Sequence, residues 1–324
     1  MGLFNRSLRL SSRRNSSRLS LTKEKIAINE IPSLVTLEVP PHTTDQEITG
    51  WLDCHFVAID PSVNSLNKLF IFFCGSRGIP ARTTTITKYA ASLGYHAINL
   101  TYPNSWTIGG ICQDSEDSCC HGNARLDIWD GSDRSGLLKI GKANSIINRV
   151  LKLLVYLDHH FPDHNWARFL SHQGLDWPSI VLAGHSQGGG QAAIIAKYHP
   201  CARVIMFSSP VDYVRRKQVH ASWLKQPGVT PAGRYYGFVH VLDPGLDKIL
   251  KAWELLKMDQ FGPVADVDRF KPPFDFSQRL ISSYGDIPRS KYHNCVVQDF
   301  LTPVSQTGYY IYQCVWEYLL KVNV

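Results

Sequence analysis

No stretch of this 324-residue sequence is apolar for long enough to cross a bilayer as a helix. The longest strongly apolar run, Leu69 to Cys74, ends far short of the roughly 20 residues that a span requires. Charge is also scarce. Charged residues make up 19% against 44% hydrophobic and 11% aromatic, a balance that excludes a mostly disordered chain and provides for a sizeable core. Acids are missing altogether before Glu24, so Arg6, Arg9, Arg13, Arg14 and Arg18 account for most of the formal charge of +7. Residues 23–324 carry only +2, which excludes a basic nucleic-acid surface, and no nucleic-acid-binding motif is present.

The basic start is not followed by the apolar run of roughly 7 to 15 residues that a secretory signal needs. Residues 1–30, rich in Arg and Ser over 1–22, read instead as a disordered or targeting tail, with a cytoplasmic or organellar location expected. Arg6 stands where a myristoylation signal starting at Gly2 would need Ser or Thr. Residues 31–324 show no internal repeat and read as one domain.

Eight cysteines in a chain of this length do not compel a disulfide framework. Cys54, Cys74, Cys201, Cys295 and Cys314 sit in apolar, strand-like or helix-like surroundings, where buried thiols are expected. Cys112, Cys119 and Cys120 lie in a polar loop. A Cys112–Cys120 bridge is favoured there over zinc, because no second ligand pair with finger-like spacing accompanies them and His121 stands alone. Asp130-Gly-Ser-Asp133 lacks the remaining ligands of a calcium loop and reads as a turn. No metal or cofactor is expected.

The most informative stretch runs from Ser179 to Lys197. Ile180 to Ala183 is short, apolar and partly β-branched, as a strand buried on both faces would be, and a helix follows at once, ending before Pro200. Between them Gly184-His-Ser186-Gln-Gly188 matches G-x-S-x-G, with strand and helix in the order that a nucleophile elbow requires. The glycines allow a turn sharp enough to push the Ser186 hydroxyl out above the sheet. The start of the helix supplies N–H groups beside it, first that of Gln187, to stabilise negative charge on an attacked carbonyl.

Around this centre the chain alternates strand and helix. Val35–Val39 and His55–Ile59 read as antiparallel edge strands, and Lys68 to Cys74 as a buried strand that enters Gly75-Ser-Arg-Gly78. That glycine-rich loop is where a second oxyanion donor belongs, Ser76 N–H or Arg77 N–H, with Ser76 favoured. Further helices are expected over 83–93, from Ala143 to Phe161, from Asp243-Pro244 through Leu256, and over 309–320; further strands over 95–100, 202–207, 234–242 and 279–283. Residues 101–142 show no convincing periodicity, yet Trp106, Ile108, Ile111 and Trp129 argue for order. The segment reads as a cap-like insertion over the site, suited to acyl or aryl groups. The whole pattern implies an α/β class: a mostly parallel sheet with helices on both faces.

A serine hydroxyl needs a base, and the base needs an acid that fixes its tautomer. Where the elbow precedes acid and then histidine, the histidines available are His199, His220, His240 and His293. His199 falls at the far end of the elbow helix and His240 inside a strand. Asp243 stands just beyond the strand 234–242, in the turn before a helix, and with Asp243 as the acid only His293 remains downstream. Asp212, after the preceding strand, is the rival acid, and a helix N-cap is the plainer role for Asp243.

The chain resembles the α/β-hydrolase superfamily over about residues 35–322. More narrowly, Gly184-His-Ser-Gln-Gly-Gly-Gly190, Phe207-Ser-Ser-Pro210, Tyr236-Gly-Phe-Val-His240 with Asp243-Pro244, and Tyr102-Pro-Asn-Ser-Trp106 are similar to motifs of a little-characterised, bacterial-type group of serine hydrolases. The resemblance implies the α/β-hydrolase fold and cofactor-free hydrolysis of an ester, thioester or related acyl bond in a small-molecule substrate, carried by Ser186, Asp243 and His293. Members of that group often look exported, and this chain departs from them in lacking an evident secretory signal. Two other readings stay open: a noncatalytic binding protein on a hydrolase scaffold, and acyl transfer to an alcohol or amine.

Overall fold

The computed structural model describes residues 31–285 and 287–321. The Arg/Ser-rich segment lies outside the described residues. One nine-stranded sheet organises the rest, built from β1 (Val35–Val39), β2 (His55–Ile59), β3 (Leu69–Phe73), β4 (His96–Leu100), β5 (Ile180–His185), β6 (Arg203–Phe207), β7 (Tyr235–His240), β8 (Val264–Asp266) and β9 (Arg279–Ser282). Their spatial order is β1-β2-β4-β3-β5-β6-β7-β9-β8. All neighbours from β4 to β8 are parallel, while β2 runs antiparallel to both β1 and β4. This is the α/β-hydrolase fold.

The central strands are apolar throughout because both faces are covered. In β3, Leu69, Ile71 and Phe73 enter one core, whereas Phe70 and Phe72 enter the other. The first core is closed by α2 (Cys120–Asp130), α3 (Ile146–His160), α4 (Gln187–Tyr198) and α5 (Leu246–Leu255); the second by α1 (Thr85–Ser92) and α6 (Gln313–Leu320). In α3, Ile146, Val150, Leu153, Leu154 and Leu157 form the buried stripe, and the Ser145 side chain caps its first turn by accepting from Asn148 N–H. Helix α4 is buried deeply, every residue from Ala192 to Ala196 lying in the first core.

Several expectations need correction. Residues 101–142 contain α2, which belongs to the body of the molecule; the part of the segment against the site is Thr107–Gly110 and Gln113, together with Arg125 of α2. Its periodicity is hidden because the buried face includes His121, Arg125 and Asp127. Asp127 accepts from the N–H groups of Arg134 and Ser135, so its carboxylate holds the following turn. The sheet also has an edge strand, β8, whose three residues are too few to show alternation, so the strand at 279–282 lies inside the sheet. The last helix begins at Gln313, because Tyr310 pairs with Val304 and Ile311 N–H donates to Pro303 O. Helix α1 begins at Thr85, where the Asp299 carboxylate accepts the N–H groups of Thr84 and Thr85 from across the chain.

Cys112 and Cys120 are joined in a disulfide that ties the short helix Ile108–Ile111 to the start of α2. Cys74, Cys201 and Cys295 are buried thiols. Cys54 is only half-buried, and Cys314 is exposed on the solvent stripe of α6 with Glu317, the face opposite its buried Val315, Trp316 and Leu319. No helix among the described residues is long and apolar enough to cross a membrane.

Candidate active site

The first strand-to-helix turn that matters for chemistry is the one after β5. Ser186 takes φ 54° and ψ −117°, a left-handed conformation that costs a non-glycine residue about 1–3 kcal/mol and must be held by its surroundings. Ser186 N–H donates to Phe207 O at 2.8 Å, pinning the turn to β6. Gly184 and Gly188 are required by close approach: a Cβ on Gly184 would overlap the Gly188 backbone, and one on Gly188 would overlap the carbonyl of Phe73 at the end of β3. The elbow is thus wedged between its own helix and the neighbouring strand.

The loop after β9 brings His293 over this turn. Its Nε2 lies 2.8 Å from Ser186 Oγ, and its Nδ1 lies 2.8 Å from Asp243 Oδ2. Asp243 comes from the turn after β7, and its other oxygen accepts Gly245 N–H at 2.7 Å, so both carboxylate oxygens are engaged. Asp243 does not cap α5; that helix starts at Leu246, with Gly245 in the N-cap position. Burial works to raise the Asp243 carboxyl, but the hydrogen bond and charge of His293 and the Gly245 N–H outweigh it and hold it below the usual carboxylate value.

Asp212 stands elsewhere. Its two oxygens accept Nε and Nη2 of Arg125 at 2.7 Å each, and Oδ2 also accepts Trp223 Nε1–H at 2.9 Å. Burial opposes ionisation of Asp212, yet the Arg125 guanidinium overcomes it and brings the pKa down to about 2. The remaining Arg125 contact runs from Nη1–H to Gln187 O at 2.8 Å, so this pair supports the first residue of α4 from behind. The other candidate histidines are also placed: His199 stacks on Trp177, His220 Nε2 donates to Lys248 O, and His240 lies buried at the end of β7, with Nε2 donating to Tyr284 O. None reaches Ser186.

On the opposite side of Ser186, the loop Gly75–Gly78 faces Gln187. Ser76 Oγ donates to the Gln187 side-chain oxygen at 2.7 Å and joins the two walls of the gap. Arg77 N–H is already given to Asn104 O at 2.7 Å. Neither Ser76 N–H nor Gln187 N–H has a protein acceptor among the described residues, which leaves both available to an oxyanion. Asn104 fixes the loop from the other end, its Nδ2 donating to the carbonyls of Gly75 and Gly78, and Tyr102 OH donates to Cys74 O. These two clamps belong to the Tyr102–Trp106 motif; the adjacency of β3 and β4 was the signal that could have assigned them.

Sequence reasoning also passed over His185, the second residue of the elbow motif. It is buried, and burial first, with the nearby His293 second, pushes its pKa down to about 3, so the ring is neutral. In that state Nε2–H donates to the backbone carbonyl of His293 at 2.8 Å and anchors the loop that carries it. The elbow therefore positions the imidazole as well as the serine.

A cavity of about 420 Å³ opens on Ser186, Gln187, Ser76, Asp243 and His293. The expectation of an apolar, aromatic wall from residues 101–142 is not met. Of the apolar side chains named for it, only Ile108 lines the cavity; Trp106 packs edge-on against Trp51, Ile111 packs against the core, and Trp129 packs against Trp177 and His199. Those rings bury themselves in the body because α2 draws the segment down onto α3 and α4. Among the described residues, no group of His, Cys, Asp or Glu side chains is arranged to hold a metal ion.

No known protein family matches the sequence, and no curated protein does. Solved structures do resemble the fold. Esterase B from Lactobacillus rhamnosis is 12% identical over 80% of this chain and 77% of its own, with a TM-score of 0.43. A thermostable esterase from Pseudomonas putida is 12% identical over 93% of this chain and 86% of its own, at 0.41. A Klebsiella pneumoniae protein described as a dienelactone hydrolase is 10% identical over 89% and 97%, at 0.43. Likeness at these identities and scores carries no argument about what this chain acts on.

Proposed function

We propose that this protein is a serine hydrolase of carboxylic esters, thioesters or related acyl bonds. The observation that carries the reading is the continuous hydrogen-bonded line from Ser186 Oγ through His293 to Asp243, at 2.8 Å for each link. His293 Nε2 takes the Ser186 proton as Oγ attacks the acyl carbonyl, and Asp243 holds Nδ1–H and stabilises the imidazolium. The carbonyl oxygen, now negative, is received by the N–H groups of Gln187 and Ser76. Collapse of this tetrahedral species returns the proton from His293 to the leaving oxygen or sulfur. Water, deprotonated by the same imidazole, then releases the acid from the acyl-enzyme and restores Ser186. Every step uses side chains or backbone of the chain itself.

A fluorophosphonate probe tests this directly. Wild-type protein is expected to be labelled stoichiometrically and Ser186→Ala not at all; equal labelling of the two would discard Ser186 as nucleophile. Product analysis with competing alcohols or amines separates hydrolysis from transfer, and hydrolysis is expected to dominate.

A further inference from the structure

The polar character of the cavity bears on what enters it. Beside Ile108 and Val211, the walls that lead away from Ser186 carry Gln113, Tyr213, Arg215 and Lys248. The carboxylates that line the same cavity are Asp212 and Asp243, and each is committed, one to Arg125 and the other to His293. Arg215 and Lys248 are exposed and have no carboxylate within ion-pair distance among the described residues. The mouth of the site therefore holds two cations with no ion-pair partner among the described residues, although residues 23–324 as a whole carry only +2.

These cations stand on elements that are tied together. Arg215 belongs to a hairpin whose strands pair Tyr213 with His220 and Val214 with Val219. His220 Nε2–H donates to Lys248 O at 3.0 Å, joining that hairpin to the first turn of α5. Lys248 Nζ sits 4.9 Å from the Tyr213 ring centroid, which draws it toward the hairpin. The first turn of α5 also carries Asp247, which faces the positive end of the helix dipole and leaves the Lys248 side chain directed to the Tyr213 ring.

We propose that the substrate of this site bears an anionic group, a carboxylate or a phosphate, received by Arg215 and Lys248 while its ester carbonyl lies at Ser186. The inference rests on the esterase reading and narrows its substrate class. Arginine offers paired donors to either oxyanion, and lysine adds a mobile point charge. Because both cations are exposed, their contribution is a preference that salt screens and not an absolute requirement.

The test compares nitrophenyl esters that share a chain length. One acyl chain ends in a carboxylate (nitrophenyl adipate monoester), one in a phosphate monoester, and one in a neutral primary amide (nitrophenyl adipamate). Nitrophenolate release gives kcat/KM for each. At low salt the wild-type protein is expected to favour the better anion over the amide by roughly threefold to tenfold, with the larger ratio naming the group. The ratio is expected to fall as salt is added, to approach one in Arg215→Gln/Lys248→Gln, and to invert in Arg215→Glu/Lys248→Glu. Each ratio is measured within one variant, so a general loss of activity does not imitate the effect. Ratios of one for both anions in the wild type, with the amide still cleaved, would overturn the inference and leave the esterase reading standing. No release from any ester, together with no fluorophosphonate labelling, would overturn both.

Discussion

Asp212 and Asp243 occupy equivalent places in sequence, each just after a parallel strand, and the sequence leaves the choice of acid open. Three dimensions separate them by partner. Asp243 meets a histidine that meets a serine, whereas Asp212 meets a buried guanidinium. Their asparagine variants should therefore fail differently. Asp243→Asn is expected to fold normally and lose about 10⁴ in kcat, since the wrong tautomer of His293 would be favoured. Asp212→Asn is expected to lose roughly 3 kcal/mol of stability by leaving Arg125 buried without its counter-charge, read as a lower melting temperature. The pH dependence follows from the sign of the shift. Because the folded state lowers the Asp212 pKa from 3.8 to about 2, its ionised form stabilises the fold above pH 3.8, and that contribution disappears as pH falls toward 2. The stability gap between wild type and Asp212→Asn should shrink over that interval; a gap unchanged by acid would refute the ion-pair account.

Elements were legible where one face is apolar and hidden where burial is polar. Helix α3 announces itself by Ile146, Val150, Leu153 and Leu157, and β3 by an unbroken apolar run. Helix α2 does not, because His121, Arg125 and Asp127 are buried beside Ala124 and Ile128. Its placement depends on partners distant in sequence, Asp212 above all, and no local pattern contains them. The Cys112–Cys120 bridge ties α2 to the segment that lines the cavity at Thr107–Gly110. Closing so short a loop contributes about 2 kcal/mol, so Cys120→Ser or reduction is expected to lower the melting temperature by roughly 5 °C in a thermal melt. The same change should raise KM more than it lowers kcat, because it loosens a wall of the cavity and leaves Ser186 and His293 untouched.

At the scale of the molecule, the parallel sheet is what converges residues 76, 186, 243 and 293 on one edge, the carboxyl ends of β3, β5, β7 and β9. The alternation of strand and helix made this convergence foreseeable, since ligands meet open parallel sheets at that edge. The anchoring of His293 by His185 was not foreseeable, because it depends on the path of a loop more than a hundred positions away. The cationic mouth was hidden for a similar reason: Arg215 and Lys248 belong to separate elements, linked through the His220 hydrogen bond and the Lys248–Tyr213 contact.

One missing methyl group acts as the gauge of this machine. With hydrogen alone at Gly188, α4 can rest directly on the Phe73 carbonyl that ends β3; Ser76 follows three residues later, while α4 opens with Gln187. The width of the slot that would grip an alkoxide is therefore set by interlayer spacing, with the Ser76–Gln187 side-chain hydrogen bond spanning it. Widening it with Gly188→Ala should lower kcat by roughly a hundredfold while Ser186 remains open to a phosphonylating reagent, so that reactivity toward the probe and turnover of an ester come apart.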